Sequence, residues 1–119
     1  MDDMKSLAKS DRELLFARMN AYRLWLLQME KDLHFEFNQP ASGVIPWLEI
    51  IQQLAHRLIE LDEEGRLSET LYQVDVHEGQ LRSEMNSGNW NSWTDLLAHK
   101  VAEREAVKVI FRLQYAGEW

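Results

Sequence analysis

A chain of 119 residues with 45% apolar and 28% charged side chains has the composition of an ordinary globular protein, far from a disordered one. Its net charge of −7 sets an acidic surface against phosphate backbones and anionic lipid alike, which argues against nucleic-acid and membrane partners. The absence of cysteine removes disulfides, thiol catalysis, iron–sulfur clusters and thiolate zinc sites together.

This length suits one domain able to bury roughly two thirds of its unfolded surface. Five Gly and two Pro leave little material for the many turns of an all-β fold. The opening stretch carries Asp2 and Asp3 and has no apolar run followed by small residues, so it does not read as a secretory signal. The longest unbroken apolar run, Leu24-Trp25-Leu26-Leu27, is far too short to span a bilayer, and the expected location is cytoplasmic.

In chain order, Ser10-Asp11-Arg12-Glu13 has the form of a capping box, with the Ser10 hydroxyl accepting from the Glu13 N–H. It predicts a helix to about His34, with residues 2–9 frayed or adding earlier turns. Leu15, Met19, Tyr22, Leu26, Met29 and Leu33 recur at alternating steps of four and three, one residue per turn on one stripe. Between Leu24 and Leu27 the apolar face widens, which predicts a central place for this helix.

Pro40 forces Gln39 out of helical geometry and Gly43 permits a turn, so residues 35–43 read as a link. The alternation of Phe35 and Phe37 suggests a short extended segment laying two rings on the helices. Pro46 fits the first position of a second helix, whose stripe is Trp47, Ile51, Leu54, Leu58 and Leu61 and whose stop is Gly65. Ser68 is expected to cap a third helix carrying Leu71, Val74, Leu81 and Met85. Residues 71–77 also alternate like a strand, and Gly79 marks where a helix would break. After a turn at Asn86–Asn89, Ser92 and Asp95 form a second capping arrangement. The last helix then runs to about Ala116 with the stripe Ala98, Ala102, Ala106, Val109, Leu113 and Ala116. Short connections at Gly65 and Gly88 imply antiparallel neighbours, and the whole is expected to be an all-α, up-and-down four-helix bundle.

Chemistry-bearing patterns are few. His56 with Glu60 and His99 with Glu103 each place an imidazole and a carboxylate four residues apart on one helix face. Were the two helices to face each other through these pairs, four ligands would converge on a metal, with Asp95 as a fifth. Against this, His56 stands opposite its helix's apolar stripe, and no His has a Glu three residues before it as di-iron carboxylate proteins require. Asp75, His77 and Glu78 are the acid–base set nearest a break in regular structure, where a hydrolytic role is conceivable. Lys100, Arg104 and Lys108 form one basic ridge that Glu103 and Glu105 can neutralise internally. No phosphate-binding Gly loop, HExxH, EF-hand loop or GxSxG is present.

Five Trp are more than a chain of this size ordinarily carries. Trp25 and Trp47 fall on or beside apolar stripes. Trp90 and Trp93 begin the last helix in a polar context, and Trp119 either folds back or docks on another molecule. The resulting expectation is a non-enzymatic interaction module without cofactor, binding a protein partner or itself as a homodimer. Its surface would comprise Trp90, Trp93, Trp119, Tyr22 and Trp25. The alternative is a small helical metal-binding protein or metalloenzyme using His56, Glu60, His99 and Glu103.

Overall fold

The recurring apolar residues become helix throughout the computed structural model, which describes residues 13, 15–41 and 43–119. The helices are α1 (Met19–Leu33), α2 (Trp47–Glu63), α3 (Leu67–Gln73), α4 (Glu78–Met85) and α5 (Trp93–Tyr115). No strand occurs among the described residues, and no helix of theirs is long and apolar enough to cross a membrane. The alternation over 71–77 therefore resolves as helix followed by a turn.

The first helix is shorter than expected. Residues 15–17 are helical, Arg18 is extended (φ −104°, ψ 97°), and α1 starts at Met19. The kink lets Leu15 and Phe16 turn inward, Phe16 against Tyr22 and Trp25, while Arg18 places its guanidinium over the Trp119 ring. Met19 pays for this by lying exposed, although it sits on the stripe. The capping box lies, apart from Glu13, outside the described residues.

The link does more than reverse the chain. Phe37 N–H donates to Glu30 Oε2, and the Gln53 side chain both accepts from Asn38 N–H and donates to Asn38 C=O. Tyr22 OH then accepts from Ile45 N–H, and Arg57 Nε donates to Leu33 O. Tyr22 thus meets the start of α2 and Leu33 its middle, so α2 lies beside α1 in the same direction. The up-and-down order does not hold for this pair, because the link runs back along α1 before α2 begins. Along α2, Ile51, Leu54, Leu58 and Leu61 are buried as the stripe requires, each fully buried Leu stabilising by about 1.5–3 kcal/mol.

The third element is two helices. It begins one residue before Ser68, whose hydroxyl caps nothing and donates to Glu78 Oε1 instead. It breaks at residues 74–77, upstream of Gly79, which lies inside α4. The break is a Schellman motif: Val76 N–H donates to Leu71 O and Asp75 N–H to Tyr72 O, with Asp75 left-handed at φ 62°. The same motif ends α2 at Gly65 and α5 at Gly117. Asp in place of Gly hid this stop, although short polar side chains tolerate the conformation.

Lys108 to Gln73 O, Arg104 to Asp75 and Lys100 to Glu84 order α3 and α4 antiparallel along α5. With α1 and α2 packed on its other sides, α5 is the central helix, and over half its residues are buried. Of the Leu24–Leu27 stretch expected to be central, Trp25 and Leu26 are buried, while Leu27 is 59% exposed. Ser92 caps α5 as its spacing predicts, its Oγ accepting from Asp95 N–H at 3.0 Å.

Candidate functional site

Tyr22 and Trp25, expected at a binding surface, are interior. Trp25 is wholly buried, stacks on Trp47 at 5.7 Å with 9° between rings, and donates its indole N–H to Ala102 O at 3.0 Å. Tyr22 sits 5.4 Å from Phe16 and uses its hydroxyl on Ile45. Apolar positions on α1 that face α2 and α5 at once leave them no route to solvent, so their part in any recognition is to hold the framework.

The other tryptophans are half-buried and engaged by their own chain. Trp90 packs 5.0 Å from the His99 ring, Trp93 lies 5.6 Å under Arg82, and Trp119 lies 4.5 Å from the Arg18 guanidinium. Trp119 has folded back. Arg contacts on indole faces of this kind are worth about 0.5–1 kcal/mol when exposed.

The histidine pairs stand apart in environment. His56 Nε2 is 3.6 Å from Glu60 Oε2 on a face where the imidazole is 78% exposed. His99 lies between Trp47 and Trp90, and its Nδ1 is 2.9 Å from the Asp95 carbonyl. A carbonyl can only accept, so that nitrogen carries the proton. Glu103 is buried. Among the described residues no three His, Asp or Glu side chains come together as a metal would need.

Asp75, His77 and Glu78 line one cleft of about 550 Å³ between α3 and α4, which Ser68 and Tyr72 also line. His77 Nε2 is 3.4 Å from Asp75 Oδ1, while Asp75 Oδ2 is held by Arg104 and Glu78 by Ser68. Each acid is thus committed to a structural partner, and His77 is largely exposed. The set has the residue types for acid–base chemistry, with both carboxylates already engaged.

The basic ridge is spent internally: Lys100 pairs with Glu84, Arg104 with Asp75, and Lys108 with Glu105. Glu105 itself is fully buried, and burial, reinforced by Asp32 acting through a hydrogen bond and like charge, pushes its pKa up to about 8 against the pull of Lys108.

What remains uncovered is apolar surface that residue-type reasoning passed over. Arg104, Lys108, Phe111 and Tyr115 share one face of α5 at steps of four, three and four. Its first half is covered where α3 ends at Gln73 and Asp75. Its second half emerges as Phe111 and as Tyr115, which is 96% exposed, and Tyr72, beside Gln73, is 87% exposed.

Comparison with protein-family models, with curated proteins and with solved structures finds no match for this chain.

Proposed function

We propose that this protein is a cytoplasmic, non-enzymatic helical interaction module that associates with a second copy of itself through the C-terminal face of α5. The observation that carries the reading is the exposed Phe111–Tyr115 pair, which continues the α5 face whose Lys108 and Arg104 are held by Gln73 O and Asp75. Aromatic rings are the residues through which interfaces gain most of their affinity, and Tyr presents area at low entropic cost. A face on one helix is also self-complementary under a two-fold axis, the commonest symmetry of homo-oligomers. In this reading the bundle is a scaffold: the parallel α1–α2 pair and the α3–α4 arm hold α5 rigid, with the antiparallel relation kept between that arm and α5. The surface expected from Trp90, Trp93 and Trp119 shifts to Phe111, Tyr115 and Tyr72, because the indoles are packed on the core they help to close.

Sedimentation velocity over a wide concentration range tests this. The wild type should show a reversible monomer–dimer equilibrium, and the pair Phe111→Ser and Tyr115→Ser should shift it at least about tenfold toward monomer, as loss of interface anchors does. Their thermal unfolding should stay close to wild type, since neither ring is buried in the monomer. A strict monomer at every concentration overturns the reading. Association that instead vanishes in a His56→Ala, His99→Ala variant and returns with added zinc in the wild type would transfer the function to the histidine pairs.

A further inference from the structure

Glu105 sits on α5 where α1 crosses it, wholly out of water. Its Oε1 accepts from Lys108 Nζ at 3.1 Å, and the same ammonium donates to the Gln73 carbonyl at 3.3 Å. Its other oxygen, Oε2, is buried and receives no hydrogen bond. Facing this group from α1 is a second carboxylate, Asp32, whose Oδ2 accepts from Gln28 Nε2 at 2.8 Å. Gln28 is in turn fastened by Arg112 Nη2 on its amide oxygen at 3.0 Å. Among charges on the neighbouring elements, Arg57 of α2 engages Leu33 O, Glu60 and Glu64, Arg104 of α5 engages Asp75, and Glu84 of α4 engages Lys100.

A fully buried carboxylate with a second carboxylate against it cannot stay ionised without a large cost, and one ammonium shared with a backbone carbonyl does not neutralise two. An acceptor-only oxygen that receives no donor is the place for a proton, and Asp32 is the acceptor that such a proton would reach. We propose that one proton held between Glu105 and Asp32 fastens the C-terminal half of α1 to α5, and that its loss releases that half of α1. The step is a plain deprotonation: the Glu105 O–H gives its proton to hydroxide or buffer base and keeps the electron pair. The two carboxylates then repel, and the partly exposed side of Asp32 gives water a path into the seam.

The direction of the pH effect follows from the raised pKa. Below the ordinary carboxyl value of 4.5 both folded and unfolded chains carry the proton, and the contact is intact. Between 4.5 and about 8 the folded chain keeps a proton the unfolded chain has lost, so stability declines as pH rises. Above about 8 both forms are ionised, the decline levels off, and α1 is free to open.

The test is made on the full wild-type chain at a concentration where it is monomeric. The carboxyl carbon of Glu105, followed by NMR, should titrate near pH 8, and amide protection at Met29–Leu33 should fall by up to about tenfold between pH 7 and 9 after correction for intrinsic exchange. Protection at Leu54–Leu58 should hold. Glu105→Gln should abolish the pH-dependent loss in α1. Should that variant fail to fold, Asp32→Asn serves, moving the Glu105 midpoint down by removing the like charge. A Glu105 midpoint in the ordinary carboxyl range, a loss of protection shared equally by α2, a loss persisting in Glu105→Gln, or a midpoint unmoved by Asp32→Asn overturns the proposal.

Discussion

Trp25 and Ala102 are joined by a 3.0 Å hydrogen bond from the indole N–H to a carbonyl in the middle of α5. The bond fixes both the depth and the rotation of α1 on the central helix, because an indole has a single donor and it must be satisfied when buried. Trp25→Phe keeps most of the apolar contact but removes the donor and opens a small void. Urea denaturation should show a loss of about 1–3 kcal/mol, and Trp25→Ala about 3–5 kcal/mol. Equal stability of Trp25→Phe and wild type would mean that the bond contributes nothing.

Tyr22 makes the corresponding tie to the link. Its hydroxyl accepts from Ile45 N–H at 2.8 Å in a buried setting. Removing the oxygen leaves a backbone donor dry and unpaired, which is costlier than losing a bond at the surface. Tyr22→Phe should therefore destabilise by about 1–3 kcal/mol, and amide exchange at Ile45 should speed up before the rest of the chain does.

Much of this arrangement is legible in the spacing of apolar residues. Leu54, Leu58 and Leu61 of α2 and Ala98, Ala102, Ala106, Val109 and Leu113 of α5 are all buried where one residue per turn demands it. A periodic pattern reports which face of a helix is covered, though, and not by what. Glu105 reads as an internal partner for the basic ridge, and nothing local reveals that it is fully buried with Asp32 of α1 against it. The direction of α2 was hidden for a similar reason: a link of this length permits either sense, and Gln53 on Asn38 decides between them only once both are in place. For the candidate surface, tryptophan content singled out rings that are half-buried or fully buried in the monomer. Trp90, Trp93 and Trp119 pack at the core's edges, while Phe111 and Tyr115 near the end of α5 stay exposed.

Gly65 ends α2 in a left-handed conformation, φ 73°, with open space around the position a Cβ would take. The cost of a side chain there is therefore conformational and not steric crowding by neighbours. Gly65→Ala should lower stability by about 1–2 kcal/mol with the folded structure otherwise unchanged, measured by denaturant midpoint at constant slope. A neutral outcome would show that the α2–α3 turn relaxes to a different geometry.

Asp75 poses the converse case, a non-glycine residue held at φ 62° where α3 stops. Two opposed effects act on it: the left-handed backbone disfavours any side chain, while its carboxylate, about half exposed, holds Arg104 and approaches His77. Substitution by alanine and by glycine separates them. Both variants lose the carboxylate and the exposed ion pair, worth about 0–1 kcal/mol, but only glycine is released from the backbone cost. Asp75→Gly should accordingly be more stable than Asp75→Ala by about 1 kcal/mol, reversing the order that holds inside a helix. Were alanine the more stable of the two, residues 74–77 would be continuing the helix in solution. The α3–α4 arm would then be a single rod unable to follow α5 through both the Arg104 and the Lys100 contacts.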